Sequence, residues 1–154
     1  MSESTPSDES APRAVLAGHG DFAAGMASAV AQISGREGVF VLLTNRERSA
    51  EEIERELRAA LDAGDLHVIF TDLPGGSCTF AARRLQRERP DLVLVTGANL
   101  ATLLDFVFAP TDAGAEAASH AASHAAEKGR AALAVVAPRG AVGGEGGGGA
   151  RGVA

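Results

Sequence analysis

The chain has 154 residues, with 20 acidic side chains against 14 basic ones and a net charge of −6 at pH 7. That balance speaks against a protein that grips nucleic-acid phosphates by charge, and a sequence without Trp or Tyr offers a poor stacking platform for bases. Hydrophobic residues at 45% and charged residues at 22% are ordinary for one globular domain with a real core. No apolar run approaches the roughly 20 residues of a membrane helix, so no membrane insertion is expected. Met1 to Pro12 lacks the basic and apolar regions of a secretory leader. The single Cys78 excludes an intramolecular disulfide framework and fits a reducing cytoplasm.

Residues 1–12 are rich in Ser, Pro and acid and read as a disordered extension. Arg13 to Ala17 is apolar without alternation, the pattern of a strand buried on both faces. From Asp21 to Ser34 the residues Phe22, Met26, Val30 and Ile33 repeat at helical spacing, and Gly35 stops the pattern. Val39 to Leu43 reads as a second strand. Ser49 with Glu52 three residues on has the spacing of a capping box, opening a helix with Ile53, Leu57, Ala60 and Leu61 on one face. A third strand is expected over Leu66–Thr71, then a helix capped by Ser77 and ending near Glu88 before Pro90. Leu92–Thr96 is the fourth strand, followed by a helix over about Leu100–Phe108. An Ala-rich helix is expected from Pro110-Thr111-Asp112 to about Arg130, with Ala132–Ala137 as a last strand. Residues 139–154 are dominated by glycine and read as a flexible tail. Strands alternating with helices predict a doubly wound, mostly parallel α/β sheet of four strands with helices on both faces.

Chemistry concentrates at two strand ends. His19, between Gly18 and Gly20, stands where the first strand gives way to a helix, and the carboxyl ends of such strands are where parallel sheets bind ligands. Asp72 ends the third strand and leads into Pro74-Gly75-Gly76-Ser77. A neutral imidazole can attack a phosphoryl phosphorus if one nitrogen is unprotonated and the other is held by an acceptor, the part assigned to Asp72. Glycines let backbone N–H groups approach a phosphoryl oxygen, the helix start favours its charge, and the Ser77 hydroxyl adds a donor. The plain alternatives are a loop histidine bonded to backbone and an ordinary Gly-Gly-Ser cap.

Other candidates carry less. His120 and His124 share a helix face, but no third ligand accompanies them, so no metal site is expected. Cys78 at a helix start could be a thiolate; without a partnered histidine it reads as a packing residue. Residues 143–149 are glycine-rich but lack the Gly-Lys-Ser/Thr of a phosphate-binding loop.

Gly18-His19-Gly20, Thr71-Asp72-Leu73-Pro74-Gly75-Gly76-Ser77 and Thr96-Gly97-Ala98-Asn99-Leu100 stand in the order and near the spacing of another group of proteins. Over residues 13–138 the chain resembles the mannose-family IIA components of the bacterial sugar phosphotransferase system. Its Gly-Ala-Asn-Leu and Thr-Asp-Leu elements are most similar to the N-acetylgalactosamine-type branch. The resemblance implies a cytoplasmic phosphohistidine carrier with the phosphorylated histidine at His19, the orienting aspartate at Asp72 and the site hydroxyl at Ser77. Gly20, Gly75 and Gly76 then hold the phosphoryl group together with Ser77, and no metal or cofactor is called for. It further implies HPr as donor, a IIB component as acceptor, a IIC/IID permease reached only indirectly, and a homodimer with an exchanged C-terminal strand, for which Ala132–Ala137 is suited. Cys78 departs from the family pattern, which has proline there. Two other readings remain: the phosphoryl-donor subunit of dihydroxyacetone kinase, whose corresponding loop resembles Met-Gly-Ser, and a regulatory or small-molecule-binding module of the same fold.

Overall fold

The computed structural model describes residues 11–110 and 113–140. The strands are β1 (Ala14–Gly18), β2 (Phe40–Thr44), β3 (Val68–Thr71) and β4 (Val93–Val95). The helices are α1 (Phe22–Ser34), α2 (Ala50–Gly64), α3 (Ser77–Glu88), α4 (Leu100–Phe108) and α5 (Ala115–Ala132). All strand pairs are parallel, in the order β2-β1-β3-β4. The expected four-stranded α/β sheet with helices on both faces is therefore present.

The unbroken apolar runs of β1 and β3 are explained by their central places. Successive side chains of a strand point to opposite faces, and here both faces are covered. Ala14, Leu16, Val68 and Phe70 pack with residues of α1, α4 and α5. There Phe70 meets Phe40 and Phe106 edge-on, with ring centroids 6.0 and 5.0 Å away. Val15, Ala17 and Ile69 face the other way, onto Ile53, Leu57 and Leu61 of α2 and Cys78, Ala81, Ala82 and Leu85 of α3. Each fully buried leucine contributes about 1.5–3 kcal/mol relative to exposure, so Leu57, Leu61 and Leu85 anchor that layer.

Strand order also fixes where a site can form. From β1 the chain winds outward to β2, then crosses back past β1 to β3 and β4. The reversal opens a crevice at the carboxyl ends of β1 and β3. His19 and Asp72 directly follow those two ends.

The capping box at Ser49 forms as expected. Ser49 Oγ accepts from the Glu52 amide at 3.1 Å, and Glu52 Oε1 accepts from the Ser49 amide at 2.8 Å. Elsewhere the chain departs from the sequence reading. Ser77 is not a helix cap: Gly76 holds that position, no side chain caps α3, and Ser77 is its first residue. The cap needs φ +95°, which glycine reaches without the steric cost a serine would meet. Helix α5 follows Gly114 rather than Pro110; Thr111 and Asp112 lie outside the described residues. It also runs to Ala132, two residues past the expected end. Residues 133–138 join none of the four strands, and Leu133, Val135 and Val136 are 83%, 96% and 91% exposed. The expected extension 1–12 and tail 139–154 lie mostly outside the described residues. Among the described residues no helix is long and apolar enough to cross a membrane.

Candidate functional site

The two strand ends meet. Asp72 Oδ2 accepts two hydrogen bonds from His19, one from its backbone N–H at 2.8 Å and one from ring Nδ1 at 2.9 Å. This contact requires a glycine before the histidine. A Cβ on Gly18 would stand 2.8 Å from Asp72 Oδ2 and 2.7 Å from the Phe22 ring, closer than real Cβ contacts allow. The Gly18 carbonyl is in turn held by the Asn45 amide at the end of β2, 3.2 Å away.

The Asp72 carboxylate constrains the tautomer of the neutral ring. Burial pushes the Asp72 carboxyl up, but the backbone and ring hydrogen bonds from His19 outweigh it and hold the group below the ordinary aspartate value. An ionised carboxylate only accepts hydrogen bonds, so Nδ1 carries the proton and the lone pair resides on Nε2. The His19 side chain is 46% exposed, whereas that of Asp72 is 12% exposed. The carboxylate is thus shielded while nearly half of the imidazole meets solvent.

Gly76 lies beside the Cε1–Nε2 side of the ring. A Cβ there would stand 3.0 Å from His19 Cε1 and 3.4 Å from Nε2. The first turn of α3 is therefore beside the imidazole, and its N–H groups carry the partial positive charge of a helix start with no side chain capping them. The loop from β3 into α3 is held from below by the buried Thr79, whose hydroxyl donates to the Leu73 carbonyl at 2.6 Å. Ser77 Oγ accepts from Asn45 Nδ2 at 3.4 Å. Gly20 has φ +52°, and its carbonyl accepts from the Thr44 hydroxyl at 2.9 Å.

Asn45 is the site residue that sequence reasoning missed. It contacts both Gly18 and Ser77, from a third strand end. The available signal was its position directly after the apolar run of β2, which parallels His19 after β1.

Of the remaining candidates, only Cys78 borders this cluster, its thiol 4.0 Å from the Gly18 carbonyl. Cys78 is buried among the apolar residues of α2 and α3. Burial, and then the nearby Asp72 and Glu56 charges, push its thiol up to about 11, so it is not a thiolate at neutral pH. His124 Nδ1 pairs with Asp105 at 2.7 Å and His67 Nδ1 with Asp91 at 2.7 Å. Among the described residues no group of three or more His, Cys, Asp or Glu side chains is placed to hold a metal ion.

A parallel α/β domain with an exposed imidazole, oriented by a shielded carboxylate at the strand-order reversal, defines a class of histidine-centred proteins. The chain belongs to the family described as the PTS system fructose IIA component, whose model matches residues 13–125.

Solved structures agree on the fold. The mannose/sorbose-specific IIA subunit of the phosphotransferase system from Enterococcus faecalis superposes with a TM-score of 0.69 at 24% identity, covering 82% of this chain and 96% of that one. The phosphotransferase component EIIA from Streptococcus agalactiae gives 0.66 at 21% identity, covering 81% and 95%. The PTS IIA protein associated with the fucose utilization operon of Streptococcus pneumoniae gives 0.59 at 21%, covering 73% and 89%. No curated protein sequence matches the chain.

Proposed function

We propose that this IIA-family chain is a cytoplasmic phosphohistidine carrier, taking a phosphoryl group from HPr onto His19 Nε2 and passing it to a IIB component for sugar uptake through a permease. One observation carries the reading: Asp72 holds Nδ1 of a half-exposed ring at the strand-order reversal, and the opposite nitrogen forms no hydrogen bond among the described residues.

The step follows from that geometry. The Nε2 lone pair attacks phosphorus in line, the bond from phosphorus to the donor imidazole breaks, and the electron pair returns to the donor nitrogen. Nδ1 keeps its proton, so the phosphorylated ring is cationic, and the adjacent Asp72 carboxylate stabilises it. Gly75, Gly76 and the first turn of α3 offer backbone N–H groups to the phosphoryl oxygens, the Ser77 hydroxyl adds a donor, and Gly20, directly after His19, turns the chain at φ +52° to leave the phosphoryl group room. Transfer to IIB is the same displacement in reverse. The phosphoryl group arrives activated, so the chemistry draws on no cofactor. A homodimer with residues 132–137 exchanged between subunits accounts for the exposed Leu133, Val135 and Val136.

Incubation with phosphoenolpyruvate, enzyme I and HPr, followed by mapping of the modified residue, tests the reading. An acid-labile, base-stable phosphate on His19, absent from His19→Ala, is expected. A base-labile phosphate on Asp72 would overturn it.

A further inference from the structure

Asn45 and Ser77 meet beside the His19 site. Asn45 directly follows β2, and its backbone N–H donates to the Gly18 carbonyl at 3.2 Å. Its side-chain Nδ2 donates to Ser77 Oγ at 3.4 Å. One residue therefore bridges the strand end that carries His19 and the helix start that flanks the ring. Gly76, the neighbour of Ser77, is the residue that lies beside Cε1 and Nε2. Asn45 and Ser77 are both half-buried, so water only partly competes for their contact.

The direction of this bond matters more than its strength. A serine hydroxyl has one proton to donate and two lone pairs with which to accept. Asn45 occupies one lone pair and leaves the proton free, and among the described residues Ser77 Oγ donates to no other group. The Leu73 carbonyl, four residues back and the usual acceptor for a helical serine, already takes the Thr79 hydroxyl at 2.6 Å. A hydroxyl that accepts on one side is polarised into a better donor on the other.

We infer that Asn45 is a positioning residue for phosphoryl transfer, holding the Ser77 hydroxyl with its proton available to the phosphoryl oxygens at His19. The inference rests on the carrier reading above and deepens it. Phosphoryl oxygens are acceptors, so a hydroxyl that presents its proton stabilises their charge, whereas one that presents its lone pairs repels them. The bond from the Asn45 backbone to Gly18 does not depend on the side chain at this position, so substitutions there leave it available.

The test follows labelling of His19 by phosphoramidate, a small donor whose P–N bond breaks as ammonia leaves. Wild type, Asn45→Ala, Asn45→Asp, Ser77→Ala and the two double variants are compared, each with its urea midpoint. Ser77→Ala should slow labelling about tenfold or more, as loss of a transition-state donor does. Asn45→Ala should slow it about two- to tenfold, the effect of one hydrogen bond, and should add no further loss once Ser77 is alanine. Asn45→Asp keeps a tie to α3, because a carboxylate accepts from the hydroxyl, but it draws the proton away from His19. Its urea midpoint should stay near that of wild type while its labelling falls at least as far as that of Asn45→Ala. The same substitution in Ser77→Ala measures the added charge alone, and the loss should be larger with the serine present. The inference is overturned by wild-type labelling of Ser77→Ala or of Asn45→Asp, or by an Asn45→Ala loss that persists in full without the serine. Failure of phosphoramidate to label wild-type His19 instead overturns the carrier reading beneath it.

Discussion

Asp72 Oδ2 binds His19 twice, at the backbone N–H and at ring Nδ1, with distances of 2.8 and 2.9 Å. One oxygen therefore holds both the backbone of the residue and the inner nitrogen of its ring. The two functions separate on mutation, because an amide oxygen can still accept from the backbone N–H but carries no charge. Asp72→Asn should keep the fold and lower the rate of His19 phosphorylation by on the order of 10⁴, the loss that follows when an orienting carboxylate becomes an amide beside a catalytic imidazole. Stopped-flow or quench measurements of transfer from HPr check this, with circular dichroism to show the fold is kept. Unchanged kinetics would remove Asp72 from the site.

The same bonds make stability depend on pH with a definite sign. The Asp72 carboxyl lies below the ordinary value of 3.8 in the folded chain. A depressed folded value means the ionised form contributes stability that is fully present above the unfolded value and lost as pH falls through the folded one. Urea midpoints of wild type and Asp72→Asn should therefore differ by a constant amount above about pH 5 and converge on acidification below the ordinary aspartate value. A gap that widened on acidification would show the opposite shift.

Close approach at Gly18 links the fold to the dyad. Any Cβ there meets Phe22 at 2.7 Å and Asp72 Oδ2 at 2.8 Å, and neither is the free end of a long chain. Gly18→Ala should destabilise the protein by about 1–3 kcal/mol through overpacking and should also slow phosphoryl transfer by pushing the carboxylate away from the ring. Paired denaturation and transfer assays check both effects. Full activity would mean that the His19–Asp72 contact tolerates the shift and that its geometry is not limiting.

The sequence revealed these relationships unevenly, for physical reasons. Strands β1 and β3 were legible because burial on both faces leaves an unbroken apolar run, and a polar residue ending such a run stands out, as His19 and Asp72 do. The Ser49 capping box was legible because its two hydrogen bonds are local in sequence. Ser77 was misplaced by one residue. Serine favours caps in general, but this turn needs a positive φ that favours glycine, and the sequence does not print backbone angles. Asn45 went unseen because its partners, Gly18 and Ser77, are 27 and 32 residues away and only the sheet order brings them near. Residues 132–137 have strand composition, but composition cannot name the strand they would pair with.

That last segment supports a final prediction about assembly. Beyond α5 the chain carries Leu133, Val135 and Val136 largely exposed, and the described residues 133–140 add no strand to its own sheet. Strand β4 lies at the edge of that sheet, paired only with β3 among the described residues. An edge strand presents unpaired N–H and C=O groups, and an identical subunit can satisfy them by lending its C-terminal segment. Burying three such side chains contributes about 1.5–3 kcal/mol each, twice over in a symmetric exchange, against the entropy of ordering a short segment. The full chain should therefore be a dimer by light scattering. A chain truncated after Arg130 should become a monomer whose circular dichroism still shows the α/β core, since none of the paired strands includes the deleted residues. A truncated protein that stays fully dimeric would assign the contact to another surface, and a monomeric full-length chain would leave the exposed apolar segment without its exchange partner.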